Sequence, residues 1–96
     1  MALITDAYAS EILRNIGISE ADEEILAQIK NKAAAVIGFM NAGGAKLNAE
    51  NLSEYELTVI SIGVNDLLNN TSGGTGYSPA FKMMAMQLCS SGGGNG

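Results

Sequence analysis

Histidine and tryptophan are absent from this chain of 96 residues, and cysteine and proline occur once each. Without histidine there is no imidazole acid, base or metal ligand. The lone thiol, Cys89, makes no internal disulfide, as expected for a protein made and kept in a reducing compartment. Nothing beside it in sequence activates it as a nucleophile, so it reads as an incidental, half-buried thiol. Basic residues are scarce: Arg14, Lys30, Lys32, Lys46 and Lys82 stand against 10 acidic residues, for a net charge of −5. Nonspecific affinity for nucleic acid comes from cations that displace counterions, so a chain this acidic is not built to grip phosphates. No apolar run approaches the roughly 18 residues a bilayer requires, and no membrane partner is expected. The opening Met1-Ala2-Leu3-Ile4-Thr5-Asp6 has neither a basic start nor a long apolar stretch, so it is not read as a signal peptide. The expectation is a soluble, intracellular protein.

What is present is apolar and small. Hydrophobic residues make up 47% of the chain, charged residues only 16%, and there are 12 glycines. A chain of this length forms one small domain that buries about two-thirds of its unfolded surface. A surface this poor in charge suggests that part of it is covered by something else.

Hydrophobic spacing predicts helices throughout. Thr5 can cap a first helix running to about Ile16, with Tyr8, Ile12 and Ile16 on one stripe and Leu13 beside it. Gly17 follows as a left-handed stop, and Ile18 can fold back on the last turn. Ser19, with Asp22 three residues on, is read as the cap of a second helix, whose first turn carries Glu20, Asp22, Glu23 and Glu24. Its core stripe is Ile25, Leu26, Ile29, Ala33, Val36, Ile37 and Met40, ended by Gly43-Gly44. The opposite side holds Ala27, Asn31, Ala34, Ala35, Gly38 and Ala42 and no charge. Either it is an exposed alanine-rich back, or it is a face that another backbone approaches closely.

Ser53 and Glu56 form a full capping box, with Leu52 and Leu57 at the staple positions. The helix they open is apolar on two sides: Leu57, Ile60, Val64, Leu67 and Leu68 on one, Tyr55, Val59 and Ile62 on the other. It is either the central helix of the domain or a core helix whose back meets another subunit. Residues 1–70 are therefore read as the helical core and 71–77 as a Gly-rich hinge loop. Ser78-Pro79 opens a short C-terminal helix over 78–89, with Phe81, Met84 and Leu88 on one face, and 90–96 is read as a disordered tail. The fold class is all-α, a small single domain of three to four helices with a mobile C-terminal segment.

No motif carries chemistry. Gly73-Gly74-Thr75-Gly76 lacks the lysine and the preceding strand of a phosphate loop. The acidic run from Glu20 to Glu24 lacks the alternating ligands and central glycine of a calcium loop, and is read as a solvated first turn. No enzyme, catalytic residue, metal or cofactor is expected. The match of Asn51-Leu52-Ser53 and two neighbouring triplets to the glycosylation pattern is attributed to chance in an Asn-rich chain.

Asp66-Leu67-Leu68-Asn69-Asn70, a Gly-rich loop, Tyr77-Ser78-Pro79 and then Gln87-Leu88 resembles the end of small tailed-phage head–tail connector proteins, also called head completion or DNA-packaging proteins. The front half is similar too, with Ile4-Thr5 opening a helix, an acidic turn from Ser19 to Glu24 and a long striped helix, so the resemblance spans about residues 3–89. The sequence departs from that pattern at Leu68, where the family often has an aromatic residue, and at Cys89, where it often has a basic one.

The resemblance implies a virion structural protein, a subunit that assembles with itself into a ring beneath the portal of a DNA-filled capsid. Such a ring extends the DNA channel and bridges to the tail or stopper protein, with DNA passing through without sequence-specific binding. It is made in the host cytoplasm and ends in the virion at the head–tail junction. On that reading the candidate subunit interface is Ala34, Gly38, Ala42, Tyr55, Val59 and Ile62. The candidate portal- or tail-docking segment is Ser78, Pro79, Phe81, Met84 and Leu88. The competing reading is a small all-α dimeric host adaptor or regulatory domain that uses the same apolar backs for a protein partner.

Overall fold

A computed structural model describes residues 4–19, 22–69 and 77–94. They form four helices: α1 (Asp6–Asn15), α2 (Glu23–Ala42), α3 (Glu54–Asn69) and α4 (Pro79–Gly94). No strand occurs among the described residues, and the all-α expectation holds. Residues 71–76 of the expected hinge, and 95–96 of the expected tail, lie outside the described residues.

Local chemistry sets the helix ends. Thr5 caps α1, its hydroxyl accepting from the Tyr8 amide at 3.2 Å. The helix closes on Gly17 at φ +85, with the Gly17 amide donating to Arg14 and the Ile18 amide to Leu13. This paired closure satisfies carbonyls that would otherwise be orphaned, and the positive φ suits only glycine without strain. α2 ends the same way one element later: Gly44 lies at φ +115, and the Ala45 amide donates to Met40.

The start of α2 departs from expectation. Asp22, not Ser19, is its cap, and its carboxylate accepts from the Ile25 amide at 2.9 Å. Asp is as good a cap as Ser, and starting at Glu23 leaves Glu23 and Glu24 in the first turn, where the helix dipole favours them. α3 begins as read. The Glu56 amide donates to Ser53 Oγ at 3.1 Å and the Ser53 amide to Glu56 Oε1 at 2.8 Å, while Leu52 and Leu57 are both buried. Helix α4 runs through Gly94, beyond the end expected at Cys89.

In the packing, α2 and α3 are the central pair, and α1 and α4 each lie against both of them. One hydrophobic core runs through all four. It holds Ile12 from α1, Ile29, Val36 and Met40 from α2, Val59, Ile60 and Val64 from α3, and Phe81 and Ala85 from α4. The boundary expected at residue 70 therefore does not separate α4 from the core domain. Gly63 makes the junction of α2, α3 and α4 possible. A Cβ there would stand 2.7 Å from Phe81 Cε1 and 3.0 Å from both γ-carbons of Val36. The missing side chain is the space into which the Phe81 ring fits.

Polar links fix the register of the outer helices. The Tyr8 hydroxyl accepts from the Leu52 amide at 2.9 Å, joining α1 to the approach to α3. Asn15 Nδ2 donates to Ser61 Oγ at 3.1 Å, and Ser61 Oγ donates to the Leu57 carbonyl at 2.7 Å. Lys30 pairs with Asp6 across α2 and α1. In the connection from α2 to α3, the Asn41 side chain grips the backbone of Leu47 from both sides. It accepts from the Leu47 amide at 2.9 Å and donates to the Leu47 carbonyl at 3.2 Å.

Candidate functional site

The sequence motif from Asp66 to Pro79 becomes one structural unit. Asp66, near the end of α3, accepts from the Ser78 amide at 2.9 Å and from Ser78 Oγ at 2.8 Å. Ser78 Oγ in turn accepts from the Phe81 amide at 3.2 Å, so Ser78 caps α4 while its own position is held by α3. Pro79 takes the first helical position, where its missing N–H costs nothing. Charge-assisted bonds from a carboxylate are about twice as strong as neutral ones, so this tether fixes where α4 starts. Beside it, Tyr77 stacks on Phe81 with ring centres 4.6 Å apart, and Phe39 of α2 lies 4.7 Å from Tyr77. Burial, and then the Asp66 carboxylate, hold the Tyr77 phenol above its ordinary pKa.

The candidate interface residues do not form one surface. Gly38 and Ala42 lie exposed on the back of α2, as the spacing suggests, and a Cβ on Gly38 would meet nothing within 4 Å. Ala34 is buried instead, because its position at the edge of that back turns it in towards the packed side. On α3, Val59 is 0% exposed and belongs to the core, while Ile62 is half-buried. Of that trio only Tyr55 is exposed, its hydroxyl 3.5 Å from Gln87 Oε1 on α4. Helix α3 is central to the domain, and Val59 on its second apolar face is covered within the chain, while Tyr55 and the half-buried Ile62 leave the rest of that face open.

The same correction applies to α4. Phe81 is fully buried, and Met84 and Leu88 are half-buried against the core. The stripe expected to face a partner faces inward.

What α4 turns outward is Met83, 65% exposed, and Met86, 70% exposed; neither was singled out by periodicity, nor was Phe39 of α2, 47% exposed. Phe39, Ala42 and Gly43 at the end of α2 and Lys82, Ala85 and Met86 on α4 line an open groove of about 490 Å³. The signal for it in the sequence is that α4 carries methionines off its core stripe. Cys89, beside this groove's floor, donates to the Met40 carbonyl at 3.4 Å.

The groove has no acidic lining residue. All ten acidic residues of the chain fall within 6–24 and 50–66, whereas 25–49 and 67–96 carry none and hold Lys30, Lys32, Lys46 and Lys82. Another hollow, of about 270 Å³, is lined by Asn15, Ile16, Thr58, Ser61, Ile62 and Asn65, and two of its polar groups are already used in the bond from Asn15 to Ser61. Among the described residues no set of three His, Cys, Asp or Glu side chains is placed to hold a metal ion, and no helix is long and apolar enough to cross a membrane. The arrangement can therefore bind through apolar contact bounded by charge. Comparison with protein-family models, curated proteins and solved structures gives no match.

Proposed function

We propose that this chain is a virion structural protein, a head–tail connector subunit that forms a ring beneath the portal, extends the DNA channel and bridges the head to the tail or stopper protein. The observation that carries the reading is the Asp66–Ser78 tether. The residues on which the resemblance rests, Asp66 and Tyr77-Ser78-Pro79, are the ones that join the end of α3 to the start of α4. The pattern therefore has a physical reason to recur in proteins that place a terminal helix this way.

Two further features support it. A chain with 16% charged residues and exposed Phe39, Met83 and Met86 fits a protein that works in an assembly. A net charge of −5 suits the wall of a passage through which DNA must slide without sticking. The portal and the tail or stopper protein are then the partners, and the head–tail junction is where the protein ends.

Light scattering on the eluting protein, with electron microscopy of the same fractions, tests the reading. Rings, or a mass that grows with concentration well past a dimer, are expected. A stable dimer at all concentrations would overturn the proposal in favour of the small adaptor domain.

A further inference from the structure

We propose that the groove between the end of α2 and α4 is the seat of a second copy of this chain, docked head to tail through the acidic start of its own α2. The inference deepens the ring reading and rests on it. The groove supplies apolar surface from Phe39, Ala42 and Met86 and one charge, Lys82. The start of α2 offers the complement. Asp22, Glu23 and Glu24 are exposed there, and neither of the ion pairs of the described residues involves them. Ile18, Ile25 and Leu26 beside them are only half-buried. The groove's one charge is positive, and the start of α2 sets three exposed carboxylates beside apolar side chains, its nearby cations Arg14 and Lys30 being paired with Glu11 and Asp6.

Geometry excludes a copy from satisfying itself. Glu23 and Phe39 lie on the same helix, and at 1.5 Å per residue they are roughly 24 Å apart along it. A two-fold pairing of groove on groove would bring together two surfaces whose only charge is positive and leave the exposed carboxylates of α2 without a partner. Docking groove on acidic turn instead sets opposite charges together, the arrangement that electrostatic complementarity favours. Paired reciprocally across a two-fold axis, the two surfaces would close a dimer. Docked one contact per pair of copies, each copy leaves one of each free, and the contact closes into a ring or runs on as a filament.

The test uses two variants of the full chain, Lys82→Glu and the double Glu23→Lys/Glu24→Lys, with circular dichroism to establish folding and light scattering to read mass. Each alone sets like charges together and should weaken association about tenfold or more. Mixed in equal amounts, they pair a negative groove with a positive turn and a positive groove with a negative turn, so high mass should return. Rescue on mixing separates a lost contact from a lost fold. Met86→Ser, which removes apolar surface from the groove without adding charge, should weaken association with no rescue by either partner. A wild-type assembly whose mass none of these variants changes, or variants that stay dissociated when mixed, would overturn this interface and leave the ring reading standing. A wild type that is monomeric or a closed dimer would overturn both.

Discussion

Two glycines inside helices invite the same substitution and should respond with opposite signs. Gly38→Ala and Gly63→Ala each replace a poor helix former by the best one, a gain of about 1 kcal/mol in an unobstructed helix interior. At Gly38 the new methyl meets nothing within 4 Å, so the gain is kept. At Gly63 the methyl would stand 2.7 Å from the fully buried Phe81 ring and 3.0 Å from Val36 on its other side. Van der Waals contact needs several tenths of an ångström more, and the ring has core on its far side, so α4 must move. Overpacking of this kind costs about 1–3 kcal/mol. The sum is stabilisation by about 1 kcal/mol at Gly38 and destabilisation by about 1 kcal/mol at Gly63. In a domain of this size 1 kcal/mol moves Tm by about 4–8 °C, so the two variants should melt roughly 8–16 °C apart. Thermal and urea denaturation followed by circular dichroism, at a concentration where the chain is monomeric, reads the difference. Equal stabilisation of both variants would refute the idea that α4 is seated in the space Gly63 leaves.

Asp66→Ala removes the acceptor for both Ser78 donors and should cost about 1.5–3 kcal/mol, with faster hydrogen exchange at Phe81 and Lys82 than at Ile29 to Ile37 as the accompanying sign. The Tyr77 phenol, raised by burial and by Asp66, is held neutral in the fold, so the native state keeps a proton that the unfolded chain gives up first. Stability should then be unaffected below pH 10 and fall as pH rises past it, and a Tyr77→Phe variant should lose that part of the alkaline decline in urea titrations. Val59→Asp places a charge in the core and should unfold the chain as completely as Leu57→Asp, whereas Tyr55→Asp should leave helical content unchanged by circular dichroism.

The features legible in the sequence are those set within one turn of chain. Thr5, Gly17, Gly43-Gly44 and the Ser53–Glu56 box act on amides a few residues away, so their types and spacing suffice. Ser19 misled because Asp22 is an equally good cap three residues on, and residue type alone does not choose between them. Val59 and Phe81 misled for a different reason. Periodicity tells which residues share a face, but not whether the cover comes from the same chain, and here α3 and α4 cover one another. Gly63 gave no signal at all, since a glycine inside a helix reads as a weakness until the ring that fills its place is known. The groove was missed with it, because its residues belong to two helices far apart in sequence.

The absence of contact between α1 and α4 has a kinetic consequence. Each leans on the α2–α3 pair, and neither waits for the other. The pair packs together most extensively, and its 11-residue connection is pinned in the middle by Asn41 on Leu47, so it is expected to meet first. The outer helices then add in either order. Side chains within the pair are then expected to form the folding nucleus, so that weakening them slows folding. On that order Phe81 is expected to join late, and weakening it should leave the folding rate nearly untouched while α4 departs sooner. A chain built this way can let its last helix go and take it back without passing through the unfolded state.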